Sequence, residues 1–232
     1  MIAENVARIR EQMDAAARAA GRDPKEILLC AATKMNDSSR VREAIAAGVD
    51  CCGENRVQEL VSKDADHAYE GVPVHFIGRL QTNKVKQVVG RVDLIQSVDR
   101  LPLLECIEKE AAKRGIIQDI LLEVNISEEE SKAGFTEAET LEICQKLGDF
   151  PHCRVRGLMA IPPVSKNIGE NCRFFLKIRR LSVDIMAKKQ HNITMDILSM
   201  GMTDDFADAI ACGSTMIRVG TAIFGARDYT TK

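Results

Sequence analysis

The sequence predicts an α/β fold, a single-domain (β/α)8 TIM barrel with an extra N-terminal helix. Three observations carry that expectation. Eight short apolar runs recur along the 232 residues, amphipathic helical patterns fall between them, and no linker or shift in composition marks a second domain. Strands that alternate with helices build parallel βαβ units, and eight of them in a chain of this length close a barrel. An open doubly wound sheet is the alternative that the same alternation allows.

The leading helix spans residues 4–20, where Val6, Ile9, Met13 and Ala17 recur at helical spacing before Gly21. The strands follow at 27–33, 49–53, 72–78, 92–98, 119–125, 154–161, 195–201 and 215–220. Between them, Ser38-Ser39 caps a helix that runs to Ala47 and stops at Gly48, and Thr82 caps "NKVKQVV". "RLPLLECIEKEAAKRG" is amphipathic and also stops at glycine. Thr136 with Glu139 three residues on is a capping box, and "DDFADAIACG" repeats the helix-then-glycine ending. One domain is expected over 1–232, with 1–21 as the leading helix.

Bulk properties exclude several classes of function. The net charge is -2 and no tryptophan is present, so neither a basic field nor a stacking platform points to nucleic acid. The N-terminus is charged and periodic, unlike a signal peptide, and no apolar run approaches the roughly 18 residues that span a membrane. A cytoplasmic protein is expected. The eight cysteines form no C-x-x-C pair, so they read as reduced thiols used as small core residues, with no metal site expected.

In a barrel the chemistry sits at the C-terminal ends of the strands. Lys34 stands at the end of the apolar run "ILLCAAT". Partial desolvation there lowers the pKa of an amine and frees it to condense with an aldehyde. A lysine that snorkels to solvent is the alternative. Strands 7 and 8 end in "LSMG" and "RVGTAIFG", which place Ser199, Gly201, Arg218, Gly220 and Thr221 where this fold commonly binds phosphate. A nucleophilic lysine beside a phosphate cup suits a phosphorylated aldehyde, of which pyridoxal 5'-phosphate (PLP) is the foremost candidate. Other stretches read more plainly. "SEEESKAGF" (127–135) is a solvated loop by charge, His75 a core histidine, Met159 core or packing for a flat ring, and Lys84 and Lys86 a solvated helix face or an anion site.

Seven ordered segments carry a resemblance that covers nearly the whole chain. They are "AATK" (31–34), "GENRVQEL" (53–60), "HFIGRLQTNKVK" (75–86), "LLEVNISEEESKAGF" (121–135), "RGLMAIPP" (156–163), "LSMGMTDDFADAI" (198–210) and "IRVGTAIFGARDY" (217–229). On these the chain resembles the pyridoxal phosphate homeostasis protein family, which looks like the N-terminal barrel of alanine racemase. The resemblance implies the type III PLP fold and PLP as cofactor, held as a Schiff base on Lys34. It implies phosphate binding by Ser199, Gly220 and Thr221, and Arg218 facing the pyridine nitrogen. It places Asn55 beside the cofactor, with His75 and Met159 as neighbours. Two departures stand out: "MNDSS" lacks a proline often found after the lysine, and Arg79 replaces the residue usual there.

Carrier and catalyst are both compatible with such a site. A cation facing the pyridine nitrogen disfavours its protonation and makes the ring a poorer electron sink. Racemases of this fold add a second base, a tyrosine from a second domain. Here the tyrosines are Tyr69 and Tyr229, neither an evident base. The expectation is a PLP-binding homeostasis protein and not an enzyme, with a low-activity amino-acid racemase as the alternative and a PLP-independent aldolase-type barrel as a remote third reading. Apo PLP-dependent enzymes or amino acids are its expected further partners, and a monomer is its expected state.

Overall fold

The computed structural model describes residues 1–225 other than 128, 130–132, 166 and 189. Eight parallel strands close into a barrel in sequence order. They are β1 (Leu28–Ala32), β2 (Cys51–Glu54), β3 (Val74–Phe76), β4 (Leu94–Val98), β5 (Gln118–Val124), β6 (Cys153–Ala160), β7 (Ile193–Ser199) and β8 (Met216–Val219). β1 pairs with β8 from Leu28↔Met216 to Ala31↔Val219, which closes the cylinder. The expected doubly wound alternative is thereby excluded.

The helices are α1 (Ile2–Ala19), α2 (Ser38–Ala46), α3 (Val57–Ala65), α4 (Val85–Val88), α5 (Leu101–Arg114), α6 (Glu137–Gln145), α7 (Cys172–Met186), α8 (Phe206–Ala211) and α9 (Thr221–Phe224). α1 buries Val6, Ile9, Met13 and Ala17, the stripe its periodicity predicts. It packs on α2, α8 and α9 and covers Leu29 and Ala31 of β1 and Ile217 and Val219 of β8. The helix after β8 has only four residues, so α1 supplies the apolar face that seals the β8–β1 seam.

Side chains alternate across the barrel wall. Ile95, Ile120, Leu122 and Val155 face outward into the layer beneath the helices. Leu94, Leu121 and Met159 fill one interior cluster, and Cys30, Cys51 and Met216 fill another. At the N-terminal end, Asp119 accepts from Arg154 and Arg156, and Arg156 also pairs with Asp196.

Local chemistry departs from the sequence reading in two caps. α2 is capped by Asp37, whose side chain accepts the Arg40 N–H at 3.0 Å, while Ser38 and Ser39 lie inside the first turn. A carboxylate one residue earlier reaches the orphan N–H groups better placed. Thr82 opens a short 3-10 turn after Gln81 and makes no side-chain cap. The Thr136–Glu139 capping box forms as expected. β7 lies two residues earlier than expected, because Gly201 takes a φ of +95° and turns the chain onto α8. A Cβ there would stand 2.6 Å from the Ala209 Cβ.

Candidate functional site at the barrel mouth

Lys34 is half-buried in the turn two residues past the end of β1. The backbone on both sides of it is clamped from behind the wall. Thr33 donates its N–H to the Gly53 carbonyl at 2.9 Å and its Oγ1–H to Glu54 Oε1 at 2.5 Å. Lys63, from α3, donates Nζ–H to the Thr33 carbonyl at 2.8 Å and pairs with the same Glu54 oxygen. Tyr69 donates to that oxygen as well, at 3.1 Å. On the far side, Met35 sits in the left-handed region (φ 61°), which costs a non-glycine residue about 1 kcal/mol, and Glu59 accepts its N–H at 2.6 Å. Glu54 is therefore no part of the mouth. It points outward, fully buried, and fixes the segment that carries Lys34.

Arg218 crosses the barrel floor beneath the mouth. Its guanidinium donates to the Ser199 carbonyl (2.7 Å), to Ser199 Oγ (2.6 Å) and to the Ala160 carbonyl (3.1 Å). Burial pulls its pKa below the ordinary arginine value, opposed by nearby Cys30, Glu123 and Asp205. Ser199 Oγ–H then donates to Gln96 Oε1 at 2.6 Å, and Gln96 Nε2–H reaches His75 Nδ1 at 2.9 Å. A guanidinium only donates, so Ser199 Oγ accepts from Arg218, and the chain ends at His75 Nδ1.

The remaining predicted residues divide by depth. Asn55 follows β2, and its Oδ1 is buried with no hydrogen-bond partner among the described residues. Its backbone is pinned against Gly78: a Cβ at Gly78 would lie 2.1 Å from the Asn55 carbonyl oxygen. Gly220 stands beside Ala32 at the β8–β1 seam, 3.4 Å by the same measure. Thr221 Oγ1 is 3.3 Å from Thr203 Oγ1, so hydroxyls from the loops after β7 and β8 converge at the rim. Lys34, Asn55, Gly220 and Thr221 thus all belong to the strand ends at the mouth.

Three of the predicted residues lie below the mouth. The Ser199 hydroxyl is fully buried and hydrogen-bonded to Gln96 and Arg218, while Thr203 and Thr221 bring hydroxyls to the rim. His75 lies in the interior and connects to the mouth through Gln96. Met159 packs with Leu94 and Leu121, in register with Ser199 on one side and Glu123 on the other. The sequence reading did not single out Gln96, Glu123, Lys63 or Thr203. Gln96 and Glu123 left a signal, each a polar residue at an inward position of an apolar strand, whereas nothing local distinguishes Lys63. Glu123 shares the face of Leu121, and burial, then the Asp99 carboxylate, pushes its pKa up to about 7. Tyr229 and much of the 127–135 run lie outside the described residues.

Comparison with known proteins gives this geometry a family. Residues 2–228 match the family model described as alanine racemase, N-terminal domain. The chain is 42% identical to the pyridoxal phosphate homeostasis protein of Escherichia coli K12 over 100% of its own length and 99% of that protein. A crystal structure of an unknown protein from Bifidobacterium adolescentis superposes with a TM-score of 0.90 at 40% identity, covering 96% of this chain and 94% of the other. PipY of Synechococcus elongatus PCC7942, solved with PLP bound, superposes with a TM-score of 0.84 at 32% identity, covering 97% and 100%. No helix among the described residues is long and apolar enough to cross a membrane. The chain belongs to the alanine racemase N-terminal-domain family and, within it, to the pyridoxal phosphate homeostasis proteins.

Proposed function

We propose that this chain binds PLP at the barrel mouth, with Lys34 as its covalent anchor, and serves PLP homeostasis as a reversible holder of the cofactor. The observation that carries this is the clamp on the Lys34 segment, set beside the β8 end where the threonines converge. The residues fit the group. Asn55 offers a buried, unpartnered acceptor, Gly220 and the Thr203–Thr221 pair offer N–H and O–H donors to a phosphate, and Arg218 offers a fixed cation on the floor. Bound PLP supplies an electrophilic aldehyde and an electron-withdrawing ring. Lys34 provides the nucleophilic amine, held by the clamp on Thr33 and Met35. Ser199 and Ala160 hold the guanidinium so that it presents positive charge and no acceptor, which disfavours a proton on any ring nitrogen placed against it.

A holder of PLP is favoured over a catalyst by the placement of Tyr69. Its hydroxyl is buried behind β2 against Glu54, and burial and that carboxylate push its pKa well up, so it offers no base to the mouth. The test is the visible spectrum of the purified protein before and after borohydride, with peptide mapping of the reduced adduct. A band that borohydride bleaches, with the adduct on Lys34 and absent in Lys34→Ala, is expected. A protein that stays colourless with added PLP, or an adduct on another lysine, overturns the assignment. Deuterium exchange at the α-carbon of an added amino acid, lost in Lys34→Ala, would instead establish catalysis.

A further inference from the structure

Below the mouth, three metal-ligating side chains meet that the proposed function does not use. Cys30, Cys51 and His75 come from adjacent strands, all are buried, and their ligand atoms lie within 4.8 Å of one another. Cys30 and Cys51 are direct register partners of β1 and β2, so both thiols project inward at one level. Met216 of β8 belongs to the same buried cluster. We propose that Cys30, Cys51 and His75 form a soft-metal site inside the barrel that takes one copper(I) ion, with the Met216 thioether completing the coordination.

The donor set selects the ion. Thiolates and a thioether are soft ligands that favour copper(I), while calcium and magnesium require oxygen donors and this cluster has none. Zinc takes two thiolates and an imidazole readily but has little use for a thioether. Charge points the same way: two thiolates beside the buried Arg218 guanidinium are neutralised by one monovalent cation, whereas a divalent ion leaves an excess positive charge in the interior.

The surroundings are arranged to hold such an ion. Gln96 engages His75 Nδ1 and so fixes the orientation of the ring, the part an outer partner plays for a metal-bound histidine. Gln96 Nε2 is also 3.2 Å from Met216 Sδ, which sets that side chain. Loading forms two thiolate S–Cu bonds, one thioether S–Cu bond and one N–Cu bond. The thiol protons of Cys30 and Cys51, one each, leave to solvent, His75 binds through Nε2 with its proton on Nδ1, where the Gln96 amide turns its oxygen to accept it, and no atom changes oxidation state.

The test uses the reduced full chain, anaerobically, titrated with copper(I) carried by a chromogenic bicinchoninate competitor. Wild-type protein is expected to withdraw one equivalent. Cys30→Ser and Cys51→Ser should each weaken binding by more than the roughly 10–100-fold that loss of an outer partner costs, while Cys106→Ser keeps wild-type affinity. Circular dichroism confirms that each variant is folded. Should the serine variants fail to fold, X-ray absorption at the copper edge of the loaded wild type decides: sulfur scatterers together with one nitrogen support the site, and an all-sulfur shell overturns it. Copper retained in Cys30→Ser/Cys51→Ser, no copper taken by wild type, or a Cys30–Cys51 disulfide in place of copper binding would each overturn it too.

Discussion

Replacing Lys63 by methionine tests how the Lys34 segment is held. Lys63 is 6% exposed and Glu54 0%, so the substitution leaves a buried carboxylate whose cationic partner is gone. Glu54 Oε2 has no partner among the described residues even before the change, so the network has no spare donor to offer. Breaking a buried pair from one side costs about 3–5 kcal/mol. For a domain of this size, at roughly 2–4 °C per kcal/mol, the midpoint of thermal unfolding falls by about 6–20 °C. Removing both charges, in Lys63→Met/Glu54→Leu, replaces the pair with apolar packing and recovers most of that loss. The Thr33 carbonyl loses Lys63 in both variants and the Thr33 hydroxyl loses Glu54 in the double variant, so the rate of PLP attachment at Lys34 should stay depressed in the double variant although its stability returns. Thermal unfolding by circular dichroism and stopped-flow absorbance with PLP measure the two quantities separately. A Lys63→Met protein within 1 kcal/mol of wild type, or a double variant that regains stability and full attachment rate together, refutes the clamp.

Three further outcomes are expected. Glu123 titrates near 7 in the folded chain against an ordinary 4.5, so the unfolded state releases this proton first. Its contribution to stability is complete below about pH 4.5 and is lost as pH rises to about 7, on the order of 3 kcal/mol across that window; Glu123→Gln should flatten this slope in denaturant unfolding at pH 5 and pH 8. Gly78→Ala forces a Cβ into the Asn55 backbone, and overpacking of about 1–3 kcal/mol should appear in unfolding together with weaker PLP binding in fluorescence titration. Asp37→Ala removes the α2 cap and should cost about 1 kcal/mol, with Ser38→Ala and Ser39→Ala costing less; the reverse ranking in denaturant unfolding would return the cap to the serines.

Much of the fold was legible because its signals are local. Short apolar runs mark strands, Val6, Ile9, Met13 and Ala17 mark a helix face, and Thr136 with Glu139 marks a helix start. Each depends only on residues a few positions apart. The cap at Asp37 was missed because several residues in that turn can accept an N–H and backbone geometry chooses among them, while the turn at Thr82 forms with no side-chain cap. The positions of Lys34, Gly220 and Thr221 were legible for another reason. A parallel barrel presents its strand ends on one face whatever the intervening sequence, so locating the strands locates the mouth.

The amino-acid sequence by itself determined the order and kind of the elements, the lysine at the first strand end and the glycine and threonine at the last. Only the tertiary structure decided what lies behind and beneath them. Glu54 turns outward to Lys63, Ser199 turns inward to Arg218, and His75 ends a hydrogen-bond chain that begins at that arginine. Cys30, Cys51 and His75 fit no spacing motif, yet barrel closure sets them within 4.8 Å of one another. The physical reason is that strand periodicity fixes which side of a wall a residue faces, while the stagger between neighbouring strands fixes its height in the barrel. Stagger is a property of the closed sheet and has no trace in any one strand.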